Sequence, residues 1–344
     1  MLPILVALFG KRDLALTTYF SFVVTILTFF TNYMKMAYHG PRPFWSSDDV
    51  QAFHCSTQYG NPSGHSMFGF GMPMALALNY VAEKNVSNKG VSAIFGSLAF
   101  GASVAYSRLF LGVHSLDQVI FGCAIGLWAV LSVHFILRES LMTHFKSLIA
   151  QTDTDYTKWA LVASGILITF YGILIGNYYT ADVENLAEWD VRIAAKCGAA
   201  ELEEAYDAVS LQDTGESALG FGSYFGLLFS CAVFPNSAST TKDHTWLQRI
   251  GWMLVALVLV IPGAGFLFLP GTDGLDPVTR MILTKFTPYF WLTFVISAFS
   301  EKLSISIGLF EGKLSKTHYT NLYNLDIECP ELYIFILPAT EKQE

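Results

Sequence analysis

Along the chain, long apolar runs alternate with short polar joints. Eight runs, at about 13–37, 65–83, 91–109, 116–137, 158–179, 218–235, 248–270 and 281–300, stand out. Each is close to the ~20 apolar residues that a helix needs to cross a hydrocarbon core of about 30 Å. None alternates with a period of two, which argues against a β-barrel. Helices satisfy their own backbone polar groups, as lipid requires. The pattern therefore predicts an all-α, multi-pass transmembrane helical bundle of about eight spans.

Composition agrees. Of 344 residues, 53% are hydrophobic and 14% are charged, where a soluble domain carries roughly 25% charged residues. Mean hydropathy is +0.43. These values exclude a cytosolic enzyme, a disordered chain and a secreted disulfide scaffold. The net charge of −8 argues against a nucleic-acid partner, which demands a basic face. The five cysteines (55, 123, 197, 231 and 329) show no CxxC pair and no zinc-like spacing.

The Lys/Arg distribution favours an orientation with the residues before the first run in the cytoplasm, because twelve of the twenty basic residues then lie on that side. Segment 181–217 then falls on the opposite face. It holds ten acidic residues against Arg192 and Lys196, and reads as a solvated extramembrane segment with a helix or two. Residues 1–140 form the expected core, 141–310 additional helices and 311–344 a polar cytoplasmic tail. Met1–Phe9 is apolar but short, with Lys11 and Arg12 after it. It resembles the end of a further helix rather than a signal peptide. GxxxG pairs at Gly122/Gly126, Gly172/Gly176 and Gly222/Gly226 predict close helix packing.

Three stretches break the apolar pattern in a way that packing does not explain. They are Lys35-Met-Ala-Tyr-His-Gly-Pro-Arg42-Pro43, Asn61-Pro62-Ser63-Gly64-His65, and Ser107-Arg108-Leu-Phe-Leu-Gly-Val-His114-Ser-Leu-Asp117-Gln118. Parity puts all three on one face of the membrane. Lys35, Arg42 and Arg108 would together cost roughly 9 kcal/mol at mid-bilayer on the insertion scale. They should therefore line a wet cavity facing an anion, and two Arg forks with a Lys point charge suit a phosphate. Ser63 and the N–H groups of Gly64 and His65 lie at an expected helix N-terminus, which also attracts anions. His65 and His114 supply the two imidazoles that phosphoryl transfer needs, a neutral nucleophile and a protonated acid. Asp117 and Gln118 follow His114 by three and four residues. Either can reach its second ring nitrogen and fix the tautomer. The other six histidines (39, 54, 134, 144, 244 and 318) read as structural.

At these residues the sequence resembles the type 2 phosphatidic acid phosphatase superfamily, whose pattern is K-x6-RP, PSGH and SR-x5-H-x3-D. Lys35-x6-Arg42-Pro43, Pro62-Ser63-Gly64-His65 and Ser107-Arg108-x5-His114 fit it. The resemblance implies a helical-bundle core with a site at the extracytoplasmic membrane surface that uses no metal and no cofactor. It implies His114 as nucleophile and His65 as general acid. Lys35, Arg42, Ser63, Gly64 and Arg108 would bind phosphate. The implied substrate is a lipid phosphate: phosphatidate, lysophosphatidate, a sphingoid-base phosphate or a polyprenyl pyrophosphate. Gln118 stands where the family pattern has Asp, and resembles the dolichyl-pyrophosphatase and glucose-6-phosphatase branches. Gln118 is expected to orient His114, with Asp117 peripheral. The helices after the core resemble the layout of sphingosine-phosphate phosphatases. An endoplasmic-reticulum or other endomembrane location follows. A phosphotransferase using the same site and a non-catalytic lipid-binding relative are the alternatives. Cys55 and Cys197 both fall on the oxidising face, where a bridge between them would tie the acidic segment over the site.

Overall fold

The computed structural model describes residues 14–84, 88–180, 186–198, 206–234, 246–265, 272–300 and 303. Met1–Phe9, the tail after 311 and the acidic residues Glu201, Glu203 and Glu204 lie outside them. Among the described residues there are helices and no strands. In chain order these are α1 (Leu14–Tyr38), the short α2 (Pro43–Ser46), α3 (Gly64–Lys84), α4 (Asn88–Phe110), α5 (Leu116–Ser132), α6 (Arg138–Ile149) and α7 (Tyr156–Thr180). After these come α8 (Leu186–Cys197), α9 (Tyr206–Thr214), α10 (Ala218–Val233), α11 (Trp246–Ala264), α12 (Pro277–Met281) and α13 (Thr287–Val295). Each of the eight apolar runs holds a helix among its described residues. Among the described residues, six stretches are long and apolar enough to cross a membrane: 14–46, 88–110, 116–149, 156–180, 209–233 and 277–299. The helix of the second run, α3, falls short of that mark, and α11 contributes the apolar stretch Leu254–Gly263.

Helix α1 is the hub. Its buried side chains include Thr17, Thr18, Ser21, Thr25, Thr28, Thr31, Asn32 and Lys35, recurring every three or four residues. They form a polar stripe on one helical face. In lipid such a face turns inward, where hydroxyls find acceptors: Thr25 Oγ1 donates to the Ser217 carbonyl at 2.7 Å and accepts from Gly220 N–H at 2.9 Å. Around α1 pack α3, α5, α6, α9 and α10. The core joins Tyr19, Phe20, Leu27, Met67, Leu148 and Leu227.

Two glycine pairs do the work expected of them. A Cβ on Gly122 would lie 2.5 Å from the Ser63 carbonyl, and one on Gly126 would meet the Met67 carbonyl, so α5 approaches α3 backbone to backbone. Gly222 and Gly226 meet Phe290 and Phe294 in the same manner, joining α10 to α13. Gly172 and Gly176 differ: nothing lies within 4 Å of either Cβ direction, because that face of α7 is an outer surface.

Two boundaries also move. The run at 116–137 continues through one π-helical turn (Val133–Leu137) into α6. The segment 181–217 is not uniformly solvated. Ser210, Leu211, Thr214 and Ser217 are fully buried, and the candidate span begins at Val209 rather than 218. Packing of α9 against α1, α7 and α12 buries polar residues that composition alone assigns to solvent.

Candidate active site

The site is assembled at one end of the bundle from helix ends and the loops between them. Lys35 occupies the last turn of α1, and its side chain is buried. Pro43 opens α2 at a position where its missing N–H is not needed, and Arg42 is the residue just before it. Buried Arg42 bridges two loops: Nε donates to the Gln58 carbonyl at 2.6 Å and Nη1 to the Val113 carbonyl at 2.9 Å. Arg108 sits in the last turn of α4, with a buried Nε that has no hydrogen-bond partner among the described residues. A guanidinium with an unmatched donor is suited to an anion.

His114 lies in the turn between α4 and α5 and is 4% exposed. The turn depends on Gly112, whose φ of +67° favours glycine and whose Cβ direction meets the Gln51 carbonyl at 2.6 Å. The imidazole Nδ1 is 2.8 Å from the Gly60 carbonyl and 3.3 Å from Gln118 Oε1. Both oxygens only accept, so Nδ1 carries the proton and Nε2 keeps its lone pair. Nε2 lies 3.4 Å from Arg42 Nη1, on the cationic side. Burial first, then the charges of Arg42 and Lys35, push the His114 pKa down to about 2. The ring is therefore neutral throughout the physiological range.

Gln118 does more than touch His114. Its Nε2 donates to the Pro41 carbonyl at 2.7 Å, and its Oε1 also accepts from Ser115 N–H at 3.3 Å, capping α5. Ser115-Leu-Asp-Gln118 is the S-x-x-Q capping-box pattern, a signal present in the sequence. The shortest contact to Nδ1 comes instead from Gly60, which sequence reasoning missed. A Cβ there would lie 2.7 Å from Gln118 Oε1 and 3.0 Å from the Pro41 carbonyl, so glycine gives this carbonyl room to approach without displacing Gln118. Asp117 is exposed and makes no hydrogen bond or ion pair among the described residues. The structure does not bring it to His114.

Gly64 and His65 are the first two residues of α3, so their N–H groups have no intrahelical acceptor. The His65 side chain is exposed, and it lies within electrostatic reach of Arg108, Lys35 and Arg42, the same three cations that act on His114. Ser63 is buried, with Oγ 2.9 Å from Ser66 Oγ and N–H donating to the Gln118 carbonyl at 3.1 Å. That last bond ties the start of α3 to the start of α5, and so His65 to His114. Among the described residues no group of three or more His, Cys, Asp or Glu side chains gathers at metal-ligand range.

Helix α8 covers the loops. Trp189 and Ile193 pack on Phe44, Trp45, Tyr59 and Val113. Arg192 pairs with Glu188 at 2.7 Å and with Asp48 at 3.2 Å. Lys196 donates to the carbonyls of Phe44 at 3.2 Å and Val50 at 3.0 Å. A disulfide joins Cys55 to Cys197, with Cα atoms 5.8 Å apart.

With this geometry in view, residues 16–141 match the family model described as PAP2 superfamily. The chain is also 34% identical over 99 residues to the dolichyldiphosphatase of Saccharomyces cerevisiae, an alignment that covers 28% of this chain. It spans 41% of the length of that curated relative. No solved structure matches the chain.

Proposed function

We propose that this protein is an integral-membrane lipid phosphatase, hydrolysing a lipid phosphate monoester or pyrophosphate through a phosphohistidine on His114. The observation that carries this reading is the His114 imidazole. Its Nδ1 proton is held by the Gly60 carbonyl, and its bare Nε2 is turned toward Arg42. The PAP2 match and the yeast relative support the same class.

In the first step the Nε2 lone pair attacks phosphorus, and the bond from phosphorus to the lipid oxygen breaks. His65 gives a proton to that leaving oxygen, the bound phosphate offsetting the burial and the three neighbouring cations that otherwise disfavour its charged form. Lys35, Arg42, Arg108 and the N–H groups of Gly64 and His65 take up the charge of the phosphoryl oxygens. In the second step neutral His65 removes a proton from water. The resulting hydroxide attacks phosphorus, the P–N bond breaks, and inorganic phosphate leaves with His114 regenerated. The Gly60 carbonyl and Gln118 Oε1 hold the Nδ1 proton throughout. The three cations supply the charge that a metal would otherwise provide. The disulfide, which suits an oxidising compartment, supports placing the site on the lumenal face of an endomembrane, with endoplasmic reticulum as the assignment.

The test is phosphate release by the full chain in detergent with EDTA present. The panel is phosphatidate, lysophosphatidate, a sphingoid-base phosphate and a polyprenyl pyrophosphate, the last placed first by the name of the yeast relative. Release from at least one lipid, absent in His114→Ala, is expected. No release from any, or release only with added divalent metal, sinks the proposal.

A further inference from the structure

Gln58 lies between the site and the helices that follow the core. Its side-chain oxygen accepts from Lys35 Nζ. Its Nε2 donates to Asp213 Oδ2 at 2.8 Å and to Asn32 Oδ1 at 3.3 Å. Its backbone carbonyl accepts from Arg42 at 2.6 Å. Gln58 thus touches two of the three cations. Asp213, in turn, is on α9, outside the segment that matches the family model. Its other oxygen lies 3.7 Å from Lys285 Nζ.

The chemistry of an amide makes this arrangement directional. A carboxylate only accepts and an ammonium only donates, whereas an amide has one end of each kind. Asp213 and Asn32 claim both hydrogens of the Gln58 amide, so the oxygen must face Lys35. Lysine is a point charge on a flexible stem, with no planar fork to fix its direction. An acceptor held in place from behind does for Lys35 what guanidinium geometry does for Arg42.

We propose that Gln58 and Asp213 are positioning residues for phosphate binding, Asp213 fixing the polarity of the Gln58 amide and Gln58 aiming the Lys35 ammonium. The inference rests on the phosphatase reading above. It makes the helices after the core part of the site's machinery. The sign of the effect separates positioning from simple charge. Removing the Asp213 negative charge leaves the site more positive, and charge alone would then tighten phosphate binding. Loss of amide polarity loosens it, because an Asn at 213 offers donors as well as an acceptor and no longer dictates which way Gln58 points.

The experiment measures two quantities on the full chain in detergent. One is the dissociation constant for inorganic phosphate, from ligand-induced thermal stabilisation. The other is KM and kcat for a lipid phosphate that wild type hydrolyses. Asp213→Asn and Gln58→Leu should each weaken phosphate binding and raise KM by about tenfold, with kcat falling less than KM rises. In a Lys35→Ala background, adding Asp213→Asn should weaken phosphate binding no further. Unchanged or tighter binding in Asp213→Asn overturns the inference, and so does a full additive loss in the Lys35→Ala background. Both results leave the phosphatase reading intact. A wild-type protein that neither binds phosphate nor hydrolyses any lipid phosphate ends that reading, and this inference with it.

Discussion

Helices α1 and α7 are alike in length and composition, each 25 residues long and apolar. Yet 72% of the apolar window of α1 is buried in the bundle, against 17% for α7. The hydroxyls make the difference. Thr17, Thr18, Ser21, Thr25, Thr28 and Thr31 with Asn32 and Lys35 line one face of α1 and are all buried. The middle of α7 presents Leu161, Val162, Ile166, Ile168 and Ile173 outward. In water an apolar stripe marks the inner face of a helix. In this bundle a polar stripe marks a buried face, because lipid is as apolar as leucine and polar groups gain by turning inward, and the opposite side of α1, with Leu16, Tyr19, Phe20, Val23 and Leu27, is buried as well. The inward face of α1 ends in Lys35, so the stripe that centres the helix also aims it at the site.

The contrast is broken most severely at the site itself. His114→Ala should lower turnover by about a thousandfold or more, measured as phosphate release at matched protein levels. An effect below tenfold would remove His114 from the chemistry.

Gly60→Ala comes next. The added Cβ would lie 2.7 Å from Gln118 Oε1 and 3.0 Å from the Pro41 carbonyl, displacing the group that holds Nδ1. A shift of about 1 Å in a catalytic group costs about a hundredfold. Wild-type turnover in Gly60→Ala would mean that the carbonyl is not the anchor.

The region after the core should matter through its contacts with the first region. Cys55→Ser breaks a link across 142 residues and should cost about 2–5 kcal/mol, read as a lower thermal midpoint. Cys197→Ser should match it. A midpoint unchanged in both would show that the packing of Trp189 and Ile193 holds α8 without the bridge.

Ile166→Ala on the outer face of α7 should change stability by no more than about 0.5 kcal/mol. Thr25→Val, which strands the Ser217 carbonyl and Gly220 N–H, should cost about 1–3 kcal/mol. Equal costs in the two variants would refute the inward-stripe account.

A pH effect tests the state of the nucleophile. Below an unfolded value of about 6.5, the unfolded chain takes a proton on His114 while the folded site, held near 2, does not. Stability contributed by this residue therefore declines as pH falls through about 6.5. Within the folded site the ring stays neutral, so the amplitude of covalent labelling should be the same at pH 5 and pH 7.5. An ordinary imidazole would lose about thirtyfold over that interval.

The helical class and the motif triplet were legible because both are local. Apolar runs declare helices, and the spacing of Lys35, Arg42, His65, Arg108 and His114 declares one cationic site with two imidazoles. The inward stripe of α1 was also present in the sequence, as hydroxyls three and four apart. What stayed hidden was the set of partners. Gly60 reaches His114 across 54 residues, and Asp213 reaches Gln58 across 155. Neither carries a motif. Asp213 sits in an acidic stretch, whose charge density points to solvent and outweighs the packing pattern of α9. The Cys55–Cys197 link was visible only as an option, since pairing is set by the fold.

The central claim is that His114 Nε2 carries the phosphoryl group. Rapid acid-free quenching of wild-type protein with a phosphate-labelled lipid substrate, followed by peptide mapping, measures it directly. The account predicts an acid-labile, alkali-stable label on His114, decaying as phosphate appears and missing from His114→Ala. Hydrolysis at the wild-type rate with no label on His114, or with the label on another residue, would contradict it.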